Sequence, residues 1–262
     1  MIYNISSKDN LTIKQFRQLK RKNPRTDQKR FIAEGRKIVM EAFGNVPERV
    51  FSVVMSESFA KSDPELIEQA DKICSKVYIV PQVIFDDLSD TETPQGILAV
   101  LDMCENESLP CESARQIVVL DGVSEPGNLG TVIRTAEALG FDGIYLMKGC
   151  ADIYSPKTVR STMGSVFRMK FKTNCNTDDI RALKEKGWML ISTTPAGETI
   201  LEEFSAPQRF AVVIGNEAHG VSDEILKMSD CRLKISMEGM AESLNAAVAS
   251  GIVMHWLKTN LK

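Results

Sequence analysis

The chain has 262 residues, 43% hydrophobic and 26% charged, with a net charge of −3; this is enough for one large or two modest domains with real cores, and the charge balance excludes an indiscriminate polyanion binder. No stretch nears the roughly 20 apolar residues of a membrane span, and the amino terminus, MIYNISSKDN, lacks a signal-peptide core, so a cytoplasmic protein outside the membrane is expected. Six scattered cysteines (Cys74, Cys104, Cys111, Cys150, Cys175, Cys231) form no CxxC pair, and with only His219 and His255 beside them reduced structural thiols and no metal site are expected.

Residues 12–22 and 34–43 read as helices, Phe16 and Leu19 spaced for one buried face and Ile38, Val39, Ala42 and Phe43 for the other, with a basic loop between. Between Lys14 and Lys37 stand ten Lys or Arg residues against two acids, Asp27 and Glu34. That is the footprint of phosphate contact, or of a solvated helix face. A strand at 49–55, a helix at 64–75, a strand at 77–80, a short helix at 82–88 and a strand at 96–101 complete a compact α/β unit. It shows no nucleophile–base pair and no phosphate loop, so its expected job is recognition. The polar, acidic CENESLPCESARQ that follows reads as a linker. The expected domains are therefore 1–105, a linker at 106–116, and 117–262.

The second domain opens with a strand at 117–120, a glycine-bearing loop DGVSEPGNLG at 121–130 and a helix at 131–139 carrying Arg134. Helix N-termini attract phosphate and an Arg there adds a bidentate clamp; the absence of GK[ST] and of GxGxxG excludes triphosphate and dinucleotide loops. A strand at 143–147 leads to SPKTVRSTMGSVFR (155–168), read as a helix with Lys157, Arg160 and Arg168 projecting, which suits either the border of a nucleic-acid channel or ordinary packing. A helix at 180–186, a strand at 188–192 and a turn at 193–197 follow. Two strand–loop–helix units close the chain: 210–214, 215–221 and 222–228, then 231–235, 236–242 and 243–256. Ligands of open α/β sheets sit beyond the carboxyl ends of strands. Gly215, Asn216 and Glu217 in one loop, and Ser243, Leu244 and Asn245 on the expected first turn of the last helix, are thus contact groups; alternatively, Asn216 and Asn245 only cap helices and close turns.

Three blocks together resemble the SpoU/TrmH family of RNA ribose methyltransferases in the SPOUT class: LDGVSEPGNLGTVIRTAEALGFDGIYL (120–146), VVIGNEAHGVSDEIL (212–226) and ISMEGMAESLNAAVASGI (235–252). RFIAEGRKIVMEA (30–42) and TPQGILAV (93–100) resemble that family's substrate-binding domain, an α/β fold like a ribosomal protein of the L30e/L7Ae type. The resemblance implies an RNA substrate-binding domain followed by a parallel-sheet α/β domain closed by a trefoil knot, an exception to the rule against threaded chains. It also implies a homodimer, S-adenosylmethionine as cofactor and methylation of a ribose 2′-hydroxyl in structured RNA, ribosomal rather than transfer RNA. Carried over by motif, Asn128, Arg134, Glu217, Ser243 and Asn245 fall on catalytic positions, and Gly215, Ile235, Leu244 and Met237 on cofactor positions. Ser236 departs from the family's proline, which would stiffen the turn. The alternative function is a non-catalytic RNA-binding protein using the same fold as a scaffold.

Overall fold

A computed structural model of the chain describes residues 1–104, 114–241 and 243–262. It divides into two compact units: Met1–Cys104 with Asp152–Arg168, and the described residues of Glu105–Ala151 with Met169–Lys262. Most of the linker expected at 106–116 lies outside the described residues. The segment Asp152–Arg168, expected within 117–262, groups with the first unit instead.

The first unit runs β1 (Ile2–Asn4), α1 (Leu11–Gln18), α2 (Lys22–Gln28), β2 (Arg30–Glu34), α3 (Arg36–Asn45), β3 (Val50–Ser56), α4 (Glu57–Ser62), α5 (Pro64–Ile73), β4 (Val77–Val80), α6 (Gln82–Leu88) and β5 (Ile97–Asp102). Its five-stranded sheet has the order β1-β4-β3-β5-β2, with β5 antiparallel to both neighbours and the remaining pairs parallel. Phe16, Leu19, Ile84 and Phe85 pack over the sheet residues Ile32, Val54, Leu98 and Val100 to form its core. The basic loop expected between the first two helices is in fact α2 followed by β2, whose Phe31, Ile32 and Ala33 are buried.

Within this unit the basic run is largely committed to the protein itself. Lys14 pairs with Asp9 at 2.8 Å, Arg17 with Asp87, and Lys20 donates to the carbonyls of Asp87 and Ser89. Arg30 pairs with Asp102 at 2.8 Å and lies 3.3 Å from the centre of the Phe51 ring. Arg25 is buried, giving its fork to the Leu19 and Lys20 carbonyls at 2.8 Å and to Asp152 at 2.6 Å. A guanidinium taken out of water is tolerable only when so fully bonded.

The second unit runs β6 (Gln116–Asp121), α7 (Pro126–Ala138) and β7 (Gly143–Met147). The chain then contributes α8 (Pro156–Thr162) to the first unit, where Tyr154 stacks 4.6 Å from Phe31, Arg160 donates to Asp90 at 3.0 Å and Arg168 pairs with Glu41. The helix expected over 155–168 stops at Thr162 because Met163 and Gly164 take positive φ, 50° and 96°. Back in the second unit come β8 (Phe171–Cys175), α9 (Thr177–Glu185), β9 (Met189–Thr193), β10 (Thr199–Ile200), β11 (Phe210–Gly215), α10 (Asp223–Met228), β12 (Cys231–Lys234) and α11 (Ala246–Thr259).

All seven strands of this second sheet are parallel, in the order β10-β12-β9-β11-β6-β7-β8. Every residue of β6 and β7 is buried, as expected when helices cover both faces of a parallel sheet. The carboxy terminus is tied to the segment before β11: Trp256 Nε1 donates to the Phe204 carbonyl at 3.0 Å, and the backbone N–H of Lys262 to that of Ala206 at 2.9 Å.

Candidate active site

The site begins with register. β11 pairs with β6 so that Gly215 lies opposite Asp121, and the loops that follow leave the sheet side by side. Asn216 Nδ2 donates to the Gly122 carbonyl at 2.7 Å, and Asp121 accepts the Ser222 N–H at 2.8 Å. Asn216 and Gly220 exchange both backbone bonds at 2.9 Å, folding the loop back over its own start. A Cβ on Gly215 would come 2.1 Å from the Gly220 carbonyl carbon; no other residue fits there.

Glu217 closes this arrangement. One carboxylate oxygen accepts Asn128 Nδ2 at 2.9 Å and the Glu125 N–H at 3.4 Å; the other accepts the N–H and hydroxyl of Ser124 at 3.2 and 3.3 Å. Partial burial pushes its pKa up, but the bonds from Asn128 and the surrounding backbone outweigh this and hold it below the ordinary 4.5. Glu217 is therefore a fixed anion at neutral pH. Asn128 passes the connection on, its Oδ1 accepting Asn245 Nδ2 at 3.1 Å. Asn245 Oδ1 meanwhile caps α11 by accepting the N–H groups of Ala247 and Val248. Capping and site contact, alternatives in the sequence, are both made by the one side chain.

Two expectations are corrected here. α7 starts at Pro126 rather than Thr131, with Glu125 as its cap; proline is well placed on a first turn, so Asn128 stands on the helix rather than in a loop. Ser243 and Leu244 precede α11, which starts at Ala246 after Asn245. The structure thus brings together Asn128, Glu217 and Asn245. Ser243 and Arg134 are exposed and make no hydrogen bond or ion pair among the described residues. Neither Glu217 nor Asn245 is hydrogen-bonded to Arg134 among the described residues. Sequence reasoning flagged the loop at 121–130 but missed Ser124, the donor that completes the seat of Glu217; its place in the block DGVSEPGN was the available signal. His219 sits in the turn, its backbone N–H given to Asn216 Oδ1 at 3.1 Å.

The loops after β9, β11 and β12 leave three adjacent parallel strands at their carboxyl ends. On the last of them Met237 and Leu244 are 39% and 37% exposed, and Ile235 is half-buried. Uncovered apolar side chains on a loop, beside a strand end with no room for a side chain at Gly215, fit a half-apolar nucleoside ligand. Ser236 donates to Glu202 at 3.4 Å, a weak tether where a proline would stiffen the turn.

The sequence profile of the SpoU rRNA methylase family matches residues 115–255, and that of the MRM3-like substrate-binding domain matches residues 10–99. A Bacillus subtilis protein named as a 23S rRNA guanosine 2′-O-methyltransferase is 34% identical over 97% of this chain and 98% of its own length. Two solved structures superpose over nearly the whole chain. The AdoMet-bound rRNA methyltransferase of Sinorhizobium meliloti has a TM-score of 0.87 and 27% identity, covering 100% of this chain and 99% of its own. The SpoU methyltransferase AviRb of Streptomyces viridochromogenes, in complex with AdoMet, has 0.84 and 26%, covering 95% and 97%. These findings lend no support to a non-catalytic scaffold. The second unit has the knot-type α/β fold of SPOUT methyltransferases. The chain belongs to the SpoU rRNA methylase family and is an S-adenosylmethionine-dependent RNA ribose 2′-O-methyltransferase.

Proposed function

We propose that this chain methylates a ribose 2′-hydroxyl of ribosomal RNA in the cytoplasm, acting as a homodimer, with Asn128, Arg134, Glu217, Ser243 and Asn245 at the reacting centre. Gly215, Ile235, Met237 and Leu244 would hold S-adenosylmethionine, which when bound supplies an electrophilic methyl group on a sulfonium. The observation that carries the reading is the contrast between the locked network of Glu217, Asn128 and Asn245 and the free guanidinium of Arg134 on the helix that this network anchors.

The chain's own task is positioning and charge stabilisation. Glu217, seated by Ser124, Glu125 and Asn128, fixes the first turn of α7 against the loop after β11. Asn245 ties the start of α11 to the same point. Arg134, held on α7 with its planar fork unoccupied, takes the phosphate beside the target ribose and stabilises the charge that develops on the 2′-oxygen. Guanidinium resists deprotonation, so Arg134 acts as a cation rather than a base. The hydroxyl of Ser243 stands ready for the ribose or the adjoining phosphate.

Ribosomal RNA is favoured over transfer RNA by the family matched and by the substrate-binding profile over residues 10–99; the similarity to a bacterial ribosomal RNA methyltransferase supports a cytoplasmic site of action. Dimerisation is supported by a concentration of uncovered apolar groups. Among the described residues, five of the ten exposed large hydrophobics lie in 237–252, and Val248 and Ile252 share one face of α11.

The test is transfer of labelled methyl from S-adenosylmethionine to separated ribosomal and transfer RNA from a strain lacking the protein. One alkali-resistant dinucleotide in ribosomal RNA is the expected product. Label in transfer RNA alone, or on a base, would refute the proposal.

A further inference from the structure

The substrate-binding unit carries an open groove of about 670 Å³ along α3, lined in part by Arg36, Lys37, Glu41, Asn45 and Gln95. Lys14, Arg17, Lys20, Arg25 and Arg30 are bonded within the unit as described above, and Arg36 Nε meets Asp63 at 3.0 Å. That single contact leaves the terminal nitrogens of Arg36 unoccupied among the described residues, and its side chain is 56% exposed. Lys37 makes no hydrogen bond or ion pair among the described residues. Cations of this run that remain available beside a concavity thus stand at its carboxyl end, on α3, whereas those of the helix face around Lys14–Lys20 are bonded within the unit.

Met40 and Gly44 complete the lining, and its three remaining polar side chains suit a polynucleotide. Glu41, the groove's acid, is already matched by Arg168 and by Asn45 Nδ2 at 3.3 Å, so it does not repel an incoming phosphate at full strength. Gln95 Oε1 accepts the Arg36 N–H at 2.9 Å, and its amide donors have no partner among the described residues. Asn45 gives its donors to Glu41 and keeps its oxygen. Two cations for phosphates, with one free amide donor and one free acceptor for base edges, are the groups that a single RNA strand requires. The groove lies within the residues matched by the substrate-binding profile.

Resting on the reading of ribosomal RNA as substrate, we propose that the α3 groove binds a single-stranded segment of that RNA, with Arg36 and Lys37 on its phosphates and Gln95 and Asn45 on its bases. The test is binding of a large-subunit ribosomal RNA transcript across a salt series by the full chain, by the double variant Arg36→Gln/Lys37→Gln, and by the control Arg21→Gln/Lys22→Gln, which removes two other cations whose side chains have no partner among the described residues. The groove variant is expected to bind about tenfold more weakly at 0.1 M salt, and its slope of log affinity against log salt to be shallower by about 1.4, the loss of two single-strand phosphate contacts. Thermal stability and S-adenosylmethionine affinity should not move. Wild-type affinity and slope in the groove variant, or the loss appearing in the control instead, would overturn the proposal. Methyl transfer by the wild-type chain is scored on the same transcript, so failure of the groove and failure of the substrate reading give different results.

Discussion

Arg25, in the first unit, and Arg134, in the second, carry the same guanidinium in opposite surroundings. Arg25 is 3% exposed and bonded to two carbonyls and to Asp152; Arg134 is exposed and bonded to nothing among the described residues. The first unit turns Arg25 inward, to fasten α2 and the segment Asp152–Arg168. The second directs a carboxylate and two amides to loop ends, and leaves one cation free above the helix they anchor. Residue type does not separate structure from chemistry here; the state of each side chain's bonding does.

The sharpest way to break this comparison is to remove the inward charge. Arg25→Met should lower unfolding free energy by about 3 kcal/mol, because Asp152 and two carbonyls lose a buried partner; chemical denaturation measures it, and a change below about 0.5 kcal/mol would mean that Arg25 is no anchor. Gly215→Ala comes next in size. Its Cβ has no space against Gly220, so a loss of about 2 kcal/mol is expected, together with weaker cofactor binding in a titration.

Glu217→Gln should act the other way round, with less than about 1 kcal/mol of global stability lost, since the group is exposed, but with a clear fall in methyl transfer. Its pH behaviour sharpens the point. Because the folded pKa lies below 4.5, the stabilisation by Glu217 is present above the ordinary carboxylate range and disappears as pH falls through the folded value. Wild type and Glu217→Gln should therefore keep a constant stability difference from pH 6 to 9 and converge in acid. The smallest effect concerns the thiols. Burial pushes Cys150 to about 11 and Cys175 to about 12, so iodoacetamide at pH 8 should spare both while labelling the exposed Cys104; peptide mapping checks this.

Much of the second unit was legible because apolar runs such as Ile117–Leu120 and Phe210–Ile214 end in glycine-bearing polar loops. The start of α7 was not, since Gly127 and Gly130 read as loop while Pro126 and the Glu125 cap supply the actual helix start. β2 was hidden by Arg30 and Glu34, whose charges are met by Asp102 and by the Ser89–Thr91 turn. The fate of the basic run was illegible for a simple reason: Arg25 finds Asp152 127 residues away, and no local pattern carries such a pairing. The candidate site residues could be named from motif, but not that Asn128, rather than Arg134, is the side chain Glu217 holds.

Turnover of Arg134→Ala and Arg134→Lys on ribosomal RNA, measured beside S-adenosylmethionine affinity, tests the central claim most directly. The expected result is a fall of about 10² to 10³ in methyl transfer for Arg134→Ala, with incomplete rescue by lysine and unchanged cofactor affinity and stability. Near-normal turnover in either variant would contradict a role for the free guanidinium in the reaction.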